Sequence, residues 1–324
     1  MGAPPPQLDY TAAVLLLDKR SWLSLLFVLR GTPLARIWLR LLIVVTVAVV
    51  VTIIHEQHGM FASGLTMVPF SLVGLALGIF LGFRNNTSYD RFWEGRKLWG
   101  SLVNTTRTCA REIQTRIGTP DSDAKNITET HRELTYRVIA YVHCFRHHLR
   151  DEAHPGDAAP FLSEAEAKEL ETQSNPPQAI LHRLAQRYTE LWRAGEIHPL
   201  HLTHLDQSLV DLTNLQGACE RIKSTPIPAS YTVLIHRLVA SYVFALPFGL
   251  VGAIGSWTPA VVALVAYAFL GLDAIGDEIE EPFGTHVNDL PLATLSRMIE
   301  INLRERLEES DIPQPLQPVN DVMS

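Results

Sequence analysis

Four runs of apolar residues, each close to the thickness of a lipid bilayer, set the strongest constraint on this chain. About 20 helical residues cross the hydrocarbon core of a membrane. Runs of that order occupy residues 37–54, where LLIVVTVAVVVTII follows Arg36 and Arg40, and residues 59–83, 231–254 and 257–272. Backbone amides inside lipid must be satisfied within their own segment, so runs of this length are read as helices. The third and fourth are separated only by GSWTP, with Trp257 and Pro259 in the connection, which predicts a tight helical hairpin. The chain is 324 residues long and 47% hydrophobic, on the border between soluble and membrane proteins, so the clustering of the apolar residues decides. The expected class is all-α: a polytopic membrane protein with four transmembrane helices per subunit.

Basic residues orient these spans. Arg30, Arg36 and Arg40 precede the first, Arg84, Arg91, Arg96 and Lys97 follow the second, and Arg221 and Lys223 precede the third. The two opposite loops, HEQHGMFASG and IGSWTP, contain neither Lys nor Arg. Positive residues stay on the cytoplasmic side, which places both termini and the long middle segment there. The N-terminal MGAPPPQLDY carries Asp9 and no basic region, so no cleaved signal peptide is expected. The resulting organisation is a cytoplasmic N-terminal segment (1–33), the first two spans (34–91), a cytoplasmic helical domain (92–230), the last two spans (231–272) and a cytoplasmic C-terminal segment (273–324).

The middle segment is helical by pattern. LTYRVIAYVHCFRHHLR and AILHRLAQRYTELWRAG place apolar residues three and four apart, and Gly195 stands as a helix cap after the second. DEAHPGDAAPF and SNPPQA read as loops, SEAEAKELETQ between them as an exposed acidic helix, and DIPQPLQPVNDVMS as an extended or disordered tail. A segment of this size must pack as a domain, against itself and against neighbouring subunits. Cys109, Cys144 and Cys219 have no CxxC spacing and read as buried thiols. A net charge of −7 gives no reason to expect a nucleic-acid partner.

Residues 66–100 combine the second span with a polar continuation. Gly74, Gly78 and Gly82 recur every fourth residue and form one smooth ridge, while Leu75, Ile79 and Phe83 form a bulky row beside it. Such a helix suits close packing around an axis shared with its own copies; the plain alternative is a row facing lipid or other helices. In the third span, Pro247 interrupts the helix and His236 and Arg237 are costly so near lipid. Arg237 either reaches the interface or meets Asp273, Asp277, Glu278, Glu280 or Glu281. The connector of residues 217–232 is stiffened by Pro226 and Pro228.

Candidate metal sites are incomplete. His143 and His147 share a helix face, and His198, His201 and His204 recur every third residue, but a membrane di-iron centre needs more clustered histidines. GxSxG, Walker A, GxGxxG and HExxH patterns are absent, so no catalytic residue, metal or cofactor is assigned. In GDEIEEPFGTHVNDLPL, Glu281, Asn288 and Asp289 are weak candidates for a cation loop. A turn in which Asn288 or Asp289 caps a helix starting near Pro291 is the favoured reading.

Together these pieces resemble the bestrophin family of ion channels in its bacterial branch. PFSLVGLALGIFLGFRNNTSYDRFWEGRKLWG, CERIKSTPIP and EEPFG…NDLPL occur in the family's order, with the family's four spans. The resemblance implies a homopentamer around one central pore in a bacterial inner membrane, with membrane lipid and permeant inorganic ions as its other partners. It assigns Leu75, Ile79 and Phe83 to an apolar neck, and it implies a cytoplasmic aperture at Leu212, with Leu209 as the second candidate. Animal members hold Ca²⁺ with consecutive aspartates after the PFG turn. Here Thr285-His286-Val287-Asn288-Asp289 offers one carboxylate, so that clasp is not expected. Family members conduct anions such as chloride, whereas the charge of −7 favours cations; the sign stays open, with anion as the family default. The competing readings are a non-conducting membrane-anchored scaffold or sensor and, behind it, a membrane metalloenzyme.

Overall fold

The computed structural model describes residues 14–15, 31–60, 67–120, 122–152, 156–317 and 322–323. Its helices are α1 (Leu34–His58), α2 (Met67–Arg116), α3 (Ala124–Leu149), α4 (Glu164–Leu170), α5 (Pro176–Arg193), α6 (Pro199–Ser224), α7 (Ala229–Ile254), α8 (Thr258–Glu280) and α9 (Leu292–Arg306). A two-residue antiparallel pairing joins β1 (Val14–Leu15) to β2 (Val322–Met323). Apart from β1, the N-terminal segment through residue 30 lies outside the described residues, as do 61–66 of the first loop and 318–321 of the tail. Two compact units emerge, an apolar one of Leu17–Trp93 and Pro226–Pro282 and a polar one of Met1–Leu16, Glu94–Thr225 and Phe283–Ser324.

In the apolar unit, α1 ends at Gly59, whose φ of 62° is left-handed and whose amide bonds the His55 carbonyl at 2.8 Å. Gly59 therefore closes the first span, and the described part of the second begins at Met67. Leu34–His58, Met67–Arg116 and the stretch Ala229–Glu280 are long and apolar enough to cross a membrane. The last of these is broken by a 3₁₀ turn at Gly255–Trp257 into α7 and α8. One core joins the elements of this unit: Ile37, Val44 and Ala48 of α1, Leu77 and Leu81 of α2, Val239 and Val243 of α7, Val262 and Ala266 of α8. Gly249 of α7 carries the Phe70 ring directly against its backbone, where any side chain would collide.

The polar unit packs α3 against α5, α6 and α9. Phe145 stacks on Trp99 (ring centroids 5.8 Å apart) and on Tyr141 (5.8 Å), and all three are fully buried. Ser163 and Glu166 form a reciprocal capping box that starts α4. The SNPPQA segment, expected as a loop, instead starts α5. Pro176 and Pro177 fill the first turn, where missing amides cost nothing, and Asn175 Oδ1 accepts from the Gln178 amide at 3.2 Å. Gly195 follows α5 with φ 82°.

Truncating the centre of this aromatic stack should be costly. Phe145→Ala is expected to lose about 3–5 kcal/mol, whereas Leu200→Ala, at a side chain 70% exposed, should stay within about 0.5 kcal/mol. Thermal melting of the detergent-solubilised protein checks the contrast.

Candidate functional site

The apolar half of α2 has two unlike faces. Leu77, Leu81, Arg84 and Ser88 form a buried stripe, with exposures of 3% or less. Positions two apart on a helix lie about 200° apart, so Leu75, Ile79 and Phe83 point away from that stripe. They are 67%, 52% and 61% exposed. The glycine ridge is divided: Gly74 lies under Tyr242, whose hydroxyl would meet any added methyl, while Gly78 and Gly82 have nothing of the described protein within 4 Å. Further along, Tyr89 and Trp93 stack with their rings 6.5 Å apart.

Behind the exposed row sits a buried charge. Arg84 is fully enclosed, and its Nη1 donates to Asp273 Oδ1 at 2.8 Å. Its Nη2 donates to Asp277 and lies 3.9 Å from Glu280 Oε2. His236 of α7 meets the same carboxylates, with Nδ1 at 2.7 Å from Asp273 Oδ2 and Nε2 at 3.5 Å from Asp277 Oδ1. Asn85 Nδ2 donates to the Leu272 carbonyl at 3.1 Å, and Gly276 has no side chain to obstruct Asn85. Glu280 Oε1 accepts from the Ile227 amide at 2.9 Å, and the Glu280 carbonyl accepts from Arg91 Nε at 3.1 Å. Arg237, the cation expected to find these carboxylates if either did, is exposed. In the sequence Arg84 reads only as an orienting charge after a span.

The aperture candidates lie on the inner side of α6. Leu212 is 0% and Leu209 5% exposed within the polar unit. Val210, next to Leu209, is 43% exposed. The loop candidates resolve differently from expectation. Asp289 is buried and closes its own turn, Oδ2 accepting from the His286 amide at 2.6 Å. It does not cap α9: the N-cap position is Pro291, with no side-chain cap bond. Glu281 is exposed, and it belongs to the apolar unit whereas Asn288 and Asp289 belong to the polar one.

Several of the remaining described histidines are tied to local partners. His143 Nε2 lies 3.1 Å from Glu300 Oε2, while His147 pairs with Glu152. His198 Nδ1 accepts from the Leu200 amide at 3.3 Å, and His201 Nδ1 lies 3.2 Å from the Arg116 carbonyl. Burial lowers the His143 pKa, with Arg146 adding to the effect, so the imidazole is held neutral. Burial raises Glu300, but the hydrogen bond from His143 and the charge of Arg297 outweigh it and the carboxyl titrates below its usual range. Cys144 and Cys219 are free buried thiols, both pushed up to about 12 by burial.

The bacterial/fungal bestrophin family profile matches residues 15–305. A voltage-dependent anion channel-forming protein of Mesorhizobium japonicum is 37% identical over 290 residues, covering 90% of this chain and 91% of the relative. The voltage-dependent anion channel-forming protein YneE of Escherichia coli is 35% identical over 300 residues, covering 93% and 96%. The crystal structure of a bacterial bestrophin homologue from Klebsiella pneumoniae superimposes with a TM-score of 0.79 at 34% identity, covering 85% of this chain and all of that one. The chain belongs to the bestrophin family, in its bacterial/fungal branch, and is a membrane protein.

Two measurements test these assignments. Arg84→Gln leaves Asp273 without its buried partner and should cost about 3–5 kcal/mol, read as lost thermal stability, whereas Arg237→Gln should change little. His143 supplies the pH test. Because its folded pKa is lowered, its contribution is complete above the ordinary value of 6.5 and is lost as pH falls below it. Melting temperature should therefore drop between neutral pH and pH about 5, and His143→Gln should make that drop shallower.

Proposed function

We propose that this chain forms an anion-conducting channel by assembling with copies of itself in the bacterial inner membrane. The observation that carries the reading is the outward row of Leu75, Ile79 and Phe83, opposite the stripe that anchors α2 in its own protomer. One helix cannot enclose a pore, so the row acts only in an oligomer, and the family resemblance gives five subunits. Four spans, from α1, the apolar half of α2, α7 and α8, cross the bilayer, with both termini on the cytoplasmic side as the basic loops require. Rings of Leu75, Ile79 and Phe83 form a neck that conducts only when wide enough to stay wet. Gly78 and Gly82 let neighbouring copies approach closely. In the polar unit the aperture falls on α6, at Leu212 or Leu209, with Val210 the exposed apolar side chain beside them.

The anion preference follows the relatives described as anion channel-forming proteins, since the neck row carries no fixed charge of its own. The reading is conduction, with no catalytic step and no bound cofactor; Glu281, Asn288 and Asp289 are not assigned to Ca²⁺. Purified protein in liposomes should give an ion flux that rises several-fold on Ile79→Ala or Phe83→Ala. In asymmetric NaCl the reversal potential should lie toward that of chloride; one toward sodium would reverse the sign. Absence of flux in the wild type and both variants, over several salts, would leave a membrane-anchored scaffold.

A further inference from the structure

We infer that His236, Asp273 and Asp277 form a binding site for a divalent transition-metal ion, with Arg84 holding Asp273 from behind. A ligand atom from each of the three residues lies within 4.8 Å of the other two. Imidazole with carboxylates suits Zn²⁺ and its first-row neighbours. The oxygens of Asp273 are divided between two tasks. Oδ1 is fixed by Arg84 at 2.8 Å, and Oδ2 is presented to His236 Nδ1 at 2.7 Å. That is the arrangement in which an outer partner orients a ligand carboxylate.

Charge argues for the ion. The Arg84 guanidinium faces three carboxylates at ion-pair distance, Asp273, Asp277 and Glu280, in a setting where its own side chain is wholly enclosed. Three carboxylates gathered around one guanidinium make a local surplus of negative charge that suits a divalent ion. Arg40, on the wall of the adjoining cavity, and Arg91, whose Nε donates to the Glu280 carbonyl at 3.1 Å, are further cations near the cluster.

Access and room are both present. A cavity of about 440 Å³ is bounded by His236, Asp273 and Asp277 on one side and by Val44, Val243 and Leu270 on another. It has space for water to complete the coordination of a site with three protein ligands. Two metal–ligand bonds of about 2.1 Å at a tetrahedral angle hold their ligand atoms about 3.4 Å apart, so His236 Nδ1 must draw back from Asp273 Oδ2, now 2.7 Å away, and its 35% exposed side chain has room to do so. No step here depends on ion conduction, so the site stands or falls separately from the channel reading.

The full-length protein in detergent, stripped with chelator and then titrated with Zn²⁺, should bind one equivalent per chain more than His236→Gln. Co²⁺ should give a visible ligand-field band that the variant lacks, and Asp277→Asn should weaken binding by about tenfold. Equal stoichiometry and equal Co²⁺ spectra in a variant of unchanged oligomer size and melting temperature would overturn the site. Anomalous scattering at the zinc edge, from wild-type crystals soaked in Zn²⁺, needs no variant; a difference map without a peak between His236 and Asp273 overturns the site equally.

Discussion

A guanidinium with no solvent contact is the constraint around which the apolar unit is arranged. An unpaired buried charge costs several kcal/mol, so burying Arg84 obliges another element to bring carboxylates to it. Helix α8 does so with Asp273, Asp277 and Glu280, which recur at helical spacing and therefore share one face. Gly276, within the same turns, leaves room for Asn85, the residue after Arg84. Glu280 then reaches the Ile227 amide, so the proline-stiffened entry to α7 is fastened to the same cluster. The axial and rotational position of α2 against α8 is thereby fixed, and with it the direction of everything else on α2.

The outward row follows from that fixation. A helix anchored by Leu77, Leu81, Arg84 and Ser88 must direct the positions about 200° away outward, and these include Leu75 and Ile79. Surfaces this apolar need a cover. Leu264 on α8, 70% exposed, is one such side chain. For the α2 row, the bare backbone at Gly78 and Gly82 beside it favours another helix, because small residues permit the close packing on which membrane helices depend.

How far this was legible in the sequence depended on what each residue had to contrast with. The spans stood out because long apolar runs sit between charged segments, and the outward row because its glycine neighbours marked one helix face. The pairing of Arg84 did not. Arg84 and Arg237 are both arginines near the end of an apolar run, and nothing local tells which one turns inward; only the arrival of α8 decides. The aperture position was hard to read for a different reason. Helix α6 carries Leu205, Leu209, Val210, Leu212 and Leu215 around much of its circumference, so a shift of one or two residues exchanges a core side chain for an exposed one. SNPPQA failed because two prolines signal a loop and a helix start equally well, and the Asn175 cap discriminates only once its bond to the Gln178 amide is seen.

The same geometry links the polar cluster to the proposed neck. Phe83 and Arg84 are adjacent on one helix, about 100° apart, so the backbone that positions Phe83 is the backbone held by Asp273 and Asp277. Hydrophobic constrictions respond steeply to radius, and a helical turn is too stiff to let Phe83 shift while Arg84 stays in place. For the neck proposed above, it follows that Phe83 cannot move without Arg84.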